Sequence, residues 1–68
     1  METSNKMQNT GHYDRDRKAI RNCSFVVVDN GRMGQVFWSG TFLRWEIAYP
    51  GGSTEPLNRY GSKDLKVV

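Results

Sequence analysis

Thr41-Phe42-Leu43-Arg44-Trp45-Glu46-Ile47-Ala48-Tyr49-Pro50-Gly51-Gly52 is the stretch whose reading decides the fold. Leu43, Trp45, Ile47 and Tyr49 are large and apolar, and Arg44, Glu46 and Ala48 fall between them. That period of two belongs to a strand with one buried face. Pro50 ends it because proline has no N–H for the next rung, and Gly51-Gly52 accept the backbone angles of a reversal. The Leu43-Trp45-Ile47-Tyr49 face is therefore expected in the core, with Phe42 and Arg44 on the opposite side.

Working outward, Ser39-Gly40 predicts a reversal, and Gln35-Val36-Phe37-Trp38 before it a second strand. Cys23-Ser24-Phe25-Val26-Val27-Val28 is β-branched and aromatic enough for a first strand, closed by the Asp29-Asn30-Gly31 turn signal. Downstream, residues 50–56 read as a loop and Leu57-Asn58-Arg59-Tyr60 as a short fourth strand. Ser62-Lys63-Asp64 predicts a single capped or 3₁₀-like turn, and Leu65-Lys66-Val67-Val68 a fifth strand. Five short strands in about 46 residues predict a small five-stranded antiparallel barrel, because closing the sheet removes its exposed edges.

The chain before Cys23 has a different character. Residues 1–10 are polar and aperiodic, as in a disordered tail. Residues 13–22 carry acids first and bases last, the polarity a short helix prefers, yet only Ala19 and Ile20 offer anything to bury. The expected organisation is a flexible basic N-terminal arm at 1–22 and a β-barrel domain at 23–68. Net charge follows the same division. Residues 1–22 hold +2 (Lys6, Arg15, Arg17, Lys18 and Arg21 against Glu2, Asp14 and Asp16) of the total +3, and the pI is near 9.4. Such an arm fits an anionic partner.

The 68 residues make one domain that buries only about 60% of its unfolded surface, so the core must be small and dense. Cys23 is the single cysteine and His12 the single histidine, which excludes an intramolecular disulfide and four-ligand Cys/His zinc chemistry. A reducing cytoplasm is the expected location. The longest apolar run, residues 25–28, is far below the roughly 20 residues needed to span a bilayer, and no signal-peptide core is present.

Catalytic chemistry has little to stand on. His12 has no fixed carboxylate beside it in the expected tail. Cys23, two residues from Arg21, reads as a small half-buried side chain rather than a nucleophile. Gly31-Arg32-Met33-Gly34 lacks the helix N-terminus of a phosphate cradle and reads as a turn. The aromatics say more. Phe37 and Phe42 fall on opposite parity from Val36 and Leu43, so at least one is expected at the surface, near Arg32, Arg44 and Arg59. Exposed rings among arginines form a stacking platform with phosphate-binding neighbours.

From Phe25 onward the order of features resembles the SH3-like barrels of the KOW, Tudor and chromo-barrel type. The residues that carry the likeness are Gly31, then Gly34-Gln35-Val36, then the alternating strand ending Tyr49-Pro50-Gly51-Gly52, then Arg59-Tyr60, and the close Asp64-Leu65-Lys66-Val67-Val68. It covers about two thirds of the chain. Tudor-type chains carry an acidic residue beside the glycine after the third strand, where this chain has Pro50-Gly51-Gly52. The plasmid-borne type II dihydrofolate reductases share the fold, but of their pore motif, placed at residues 57–60, only Tyr60 is kept.

The expectation is therefore an all-β, non-enzymatic binding module with no metal or cofactor, of a kind that suits a mobile genetic element. Its partner is expected to be nucleic acid or a ribonucleoprotein surface. Arg15, Arg17, Lys18, Arg21, Arg32, Arg44 and Arg59 would contact phosphates, and Trp38, Phe42 or Tyr60 would stack. The alternative is a protein–protein or self-assembly module using the same aromatics, with a protein partner or a second copy. A reductase-like enzyme stands third.

Overall fold

The computed structural model describes residues 8–68, and over these the chain is all-β with two 3₁₀ turns and no α-helix. Strands β1 (Asn9–Tyr13) and β2 (Ala19–Arg21) form an antiparallel hairpin. Strands β3 (Phe25–Val28), β4 (Met33–Ser39), β5 (Arg44–Ala48), β6 (Thr54–Pro56) and β7 (Leu65–Val67) form a five-stranded antiparallel sheet in the order β6-β5-β4-β3-β7. The last strand thus returns beside the first strand of that sheet, and β6 and β7 are its edges.

Register explains the core. Val36 opposes Ile47, Val26 opposes Gly34 and Val28 opposes Leu65. Opposed residues in an antiparallel pair point to the same face. Val26, Val28, Val36, Ile47 and Leu65 therefore share one buried side, completed by Ile20, Tyr49 and Leu57. Gly34 lets β5 come close. A Cβ there would stand 2.5 Å from Ile47 Cγ2 and 2.7 Å from the Ala48 carbonyl oxygen.

Several expected boundaries move. The β5 ladder starts at Arg44, because residues 40–43 form the β4–β5 turn. Leu43, expected in the core, has φ 54° and is 72% exposed, whereas Ile47 and Tyr49 are buried as the alternation predicts. Cys23 and Ser24 precede β3, with Cys23 exposed at φ 73° in the turn. The expected fourth strand at residues 57–60 is instead a 3₁₀ turn, Leu57–Arg59, and the ladder uses Thr54–Pro56, read from sequence as loop. Pro56 is tolerated there because β6 is an edge strand. The turn also lets Leu57 reach the core. The turn expected over Ser62–Asp64 is present as 3₁₀.

The largest correction concerns the N-terminal segment. Residues 1–7, the start of the expected flexible arm, lie outside the described residues. Residues 9–21 are not a solvated arm but the β1–β2 hairpin, and Ile20 is in the core, so the boundary at 22/23 dissolves. The hairpin is held by Asp14, 1% exposed. Its Oδ1 accepts hydrogen bonds from the Asp16 and Lys18 amides at 2.9 and 2.8 Å, closing the turn. Its Oδ2 accepts from the Val67 amide at 2.8 Å, and the Arg15 amide donates to the Leu65 carbonyl at 2.9 Å. The outward groups of edge strand β7 are thereby covered by the hairpin turn. A Lys66–Asp16 ion pair at 2.8 Å lies at the surface and adds little.

Burial alone would push the Asp14 carboxyl up. Three backbone N–H donors, at Val67, Lys18 and Asp16, and the Lys18 charge more than offset it, so its pKa lies below the usual carboxylate range. Removing the carboxylate leaves those amides without their partner. Asp14→Ala is expected to lose about 3 kcal/mol of unfolding free energy, against the roughly 3–10 kcal/mol that a chain of this length holds in total; urea denaturation measures it, and a loss under about 1 kcal/mol would contradict this role. Gly34→Ala should cost at least about 2 kcal/mol by the same measurement, because backbone must move.

Candidate functional site

The expected interface residues fall into three groups. At the tip between β4 and β5, the Trp38 and Trp45 rings meet edge to face with centroids 5.2 Å apart, and Trp38 is 47% exposed. Phe42 is 60% exposed, and the Arg44 guanidinium lies 4.7 Å over its ring. The turn holds this geometry through the Phe42 amide, which donates to Ser39 Oγ at 3.1 Å. Arg44 Nε also donates to Glu46 Oε2 at 2.6 Å, which keeps the guanidinium beside Phe42 and gives the 2%-exposed Glu46 a charge partner. Trp38 shares the parity of the core face, whereas Arg44 shares that of Phe37 and Gln35. Phe37 is half-buried and Phe42 exposed, so one of the two is at the surface as expected.

The second group lies toward the other end of β5, where Glu55 opposes Ile47, about 10 Å along the strand from Arg44. Glu55, on β6, is its centre. Tyr60 Oη donates to both Glu55 carboxylate oxygens at 3.0 and 2.9 Å. Arg59 Nε stands 3.5 Å from Oε1 and Arg32 Nη1 3.8 Å from Oε2. Arg32 also lies 3.8 Å over the Tyr49 ring and donates to Ser53 Oγ at 3.2 Å. Tyr60 therefore does not stand free to stack; it packs on the core with its hydroxyl committed.

Tyr49 Oη is buried beside this carboxylate without the directional geometry of a hydrogen bond among the described residues. Burial, with Tyr60 and Glu55 close by, pushes its pKa up. The proximity of the Tyr49 and Tyr60 hydroxyls, followed by Arg59 and Arg32, holds Glu55 below the usual carboxylate range against the opposing effect of burial.

The third group, Arg15, Arg17 and Lys18, sits exposed in the β1–β2 turn beside β7, with Arg21 exposed at the end of β2. Arg17 takes φ 65° there. The structure thus brings together Phe42 with Arg44, and Arg32 with Arg59 and Tyr60, but keeps these pairs at opposite ends of β5. Sequence reasoning missed Glu55, although its spacing of four from Arg59 was a usable sign. It also missed Asp14, whose role depends on a partner 53 residues away.

His12 lies half-buried in β1. Among the described residues no three His, Cys, Asp or Glu side chains assemble as metal ligands, and no helix is long and apolar enough to cross a membrane. No protein-family model, curated protein or solved structure matches the chain.

The Glu55 cluster carries a pH signature. A depressed carboxyl pKa stabilises the fold above the unfolded value, and that contribution is lost as pH falls through the folded value. Wild type should therefore exceed Glu55→Gln in stability near neutral pH, with the gap closing as pH falls from about 6 to about 3. Denaturation midpoints across that range test it; a gap that stays constant would contradict the assignment.

Proposed function

We propose that the protein is a non-enzymatic binding module on an SH3-like small barrel, and that its partner is single-stranded nucleic acid, free or presented by a ribonucleoprotein. The barrel reading draws support from the strand order, in which β7 closes back on β3 and a 3₁₀ turn precedes the last strand.

One observation carries the choice of partner. Phe42 is held out of the fold with a guanidinium over its face, so a stacking surface and a cation sit at one place. Phe37 and Gln35 continue the same side of the sheet away from Arg44. The exposed bases of the β1–β2 turn give a second, weaker attraction for phosphates. Arg32 and Arg59 share one carboxylate, so that end keeps one net positive charge.

A specific feature favours a second reading, protein contact through the same tip. Leu43 is a bulky residue in the left-handed region and points into solvent, and backbone cost of that kind collects at functional surfaces. A leucine has no π-face on which a base can stack, whereas a protein interface buries apolar side chains at its centre.

Titration with mixed-sequence single-stranded and duplex oligonucleotides separates the two. Single strands should bind at low salt and weaken as salt rises, with Phe42→Ala and Arg44→Ala each lowering affinity about tenfold and Arg44→Ala flattening the salt dependence. No binding at about 100 μM, or binding indifferent to salt, would dismiss the nucleic-acid reading. Salt-resistant self-association lost in Leu43→Ser would establish the other.

A further inference from the structure

A depression of about 260 Å³ opens beside β3, β4 and the end of β5, lined by Phe25, Met33, Gln35, Ala48, Tyr49 and Pro50. It lies away from the Phe42–Arg44 tip. Register puts Phe25 opposite Gln35 and Gln35 opposite Ala48, so these three share a face, joined by Met33 two residues before Gln35. Phe25 and Met33 are half-exposed although the core is close by. Its walls are therefore one aromatic ring, one thioether, the edge of a second ring and a single amide.

The volume is below the roughly 300–1,000 Å³ that encloses a drug-sized ligand, which limits the occupant to about one ring system. The amide is oriented. Gln35 Nε2 donates to the Cys23 carbonyl at 3.2 Å, which leaves the Oε1 end to accept from a ligand N–H. Charge fixes the rest. Arg32, adjoining Met33, lies on the Tyr49 ring that forms part of the wall, and Arg59 is drawn to the same Glu55. Two guanidiniums facing one carboxylate leave a net positive charge beside an apolar slot.

Building on the nucleic-acid reading, we propose that this depression is a single-nucleotide subsite: a base enters between Phe25, Met33 and Tyr49, its exocyclic amino group donates to Gln35 Oε1, and its phosphate meets Arg32. Gln35 and Phe37 of β4 share a side of the sheet with Arg44 of β5. A strand that stacks on Phe42 can follow that side about 13 Å from Arg44 to the subsite. Single-stranded loops, bulges and ends, whose bases are unpaired and unstacked, would present such a ligand.

The test is amide chemical-shift mapping of the full chain with adenosine 5′-monophosphate, adenosine and inorganic phosphate, alongside oligonucleotide titration. The monophosphate should move the Met33, Gly34, Gln35 and Ala48 amides, adenosine should move the same set more weakly, and phosphate alone should leave that set in place. Phe25→Ala and Met33→Ala, both at half-exposed positions, should weaken monophosphate and oligonucleotide binding about five- to tenfold with the unfolding midpoint unchanged. Oligonucleotide binding that depends on Phe42 and Arg44 but ignores Phe25 and Met33, with those amides unmoved by the monophosphate, overturns the subsite and leaves the wider reading intact. Monophosphate binding at these amides without oligonucleotide binding keeps the subsite and removes the strand reading. Silence of both probes overturns both.

Discussion

The buried Asp14 carboxylate is the interaction on which the other parts of this molecule depend. A sheet of five short strands has two edges, and each edge is a row of unpaired backbone groups. At β7 the exposed row meets the hairpin turn, where one side chain accepts from three amides, the farthest 53 residues along the chain from it. The same contact brings β2 over the open side of the sheet and delivers Ile20 to the core. Together with the Arg15–Leu65 backbone bond it ties the two-stranded hairpin to the five-stranded sheet. The second edge, β6, is managed differently, by its three-residue length and by Pro56.

So small a core leaves little freedom. Among the described residues eight apolar side chains are buried, and the close approach at Gly34 depends on having no side chain at all. Three non-glycine residues, Arg17, Cys23 and Leu43, hold positive φ, each at a turn where the surrounding ladder fixes the backbone. The buried Glu46 is paired with Arg44 and the half-buried Glu55 with Tyr60, Arg32 and Arg59, whereas the buried Tyr49 Oη lacks a directional hydrogen bond among the described residues. The candidate interface and the fold therefore draw on the same residues. Arg44 is at once the ion-pair partner of a buried acid and the cation over Phe42, and Arg32 stacks on a core tyrosine while contributing the charge at the other end.

The legible part of the fold was the part governed by local pattern. The alternation of Trp45, Ile47 and Tyr49 identified β5, the β-branched run identified β3, and Asp29-Asn30-Gly31 identified the turn in which Arg32 donates its amide to Asn30 Oδ1. Phe42 is outside as expected, though because it lies in the turn beside the likewise exposed Leu43 and not through parity. What failed had long-range causes. Asp14 looks like any charged residue in a polar stretch until Val67 arrives beside it. Leu57 to Tyr60 has strand-like composition, but burying Leu57 from an edge requires a turn. Leu43 continues the alternation perfectly and still leaves it, because the reversal after Ser39 needs four residues rather than two. The division of the arginines between the ends of β5 was invisible for the same reason, since it follows from which residues Glu46 and Glu55 reach.

The edge-to-face pair at the β4–β5 tip has one more consequence. Trp38 and Trp45 are the only tryptophans in the chain, and they touch. All indole absorption and emission therefore originates at a single corner, from two chromophores close enough to couple. The fluorescence of this protein is a reporter of that corner rather than an average over the fold, and a change in indole signal that runs ahead of the loss of strand dichroism marks the tip opening before the molecule unfolds.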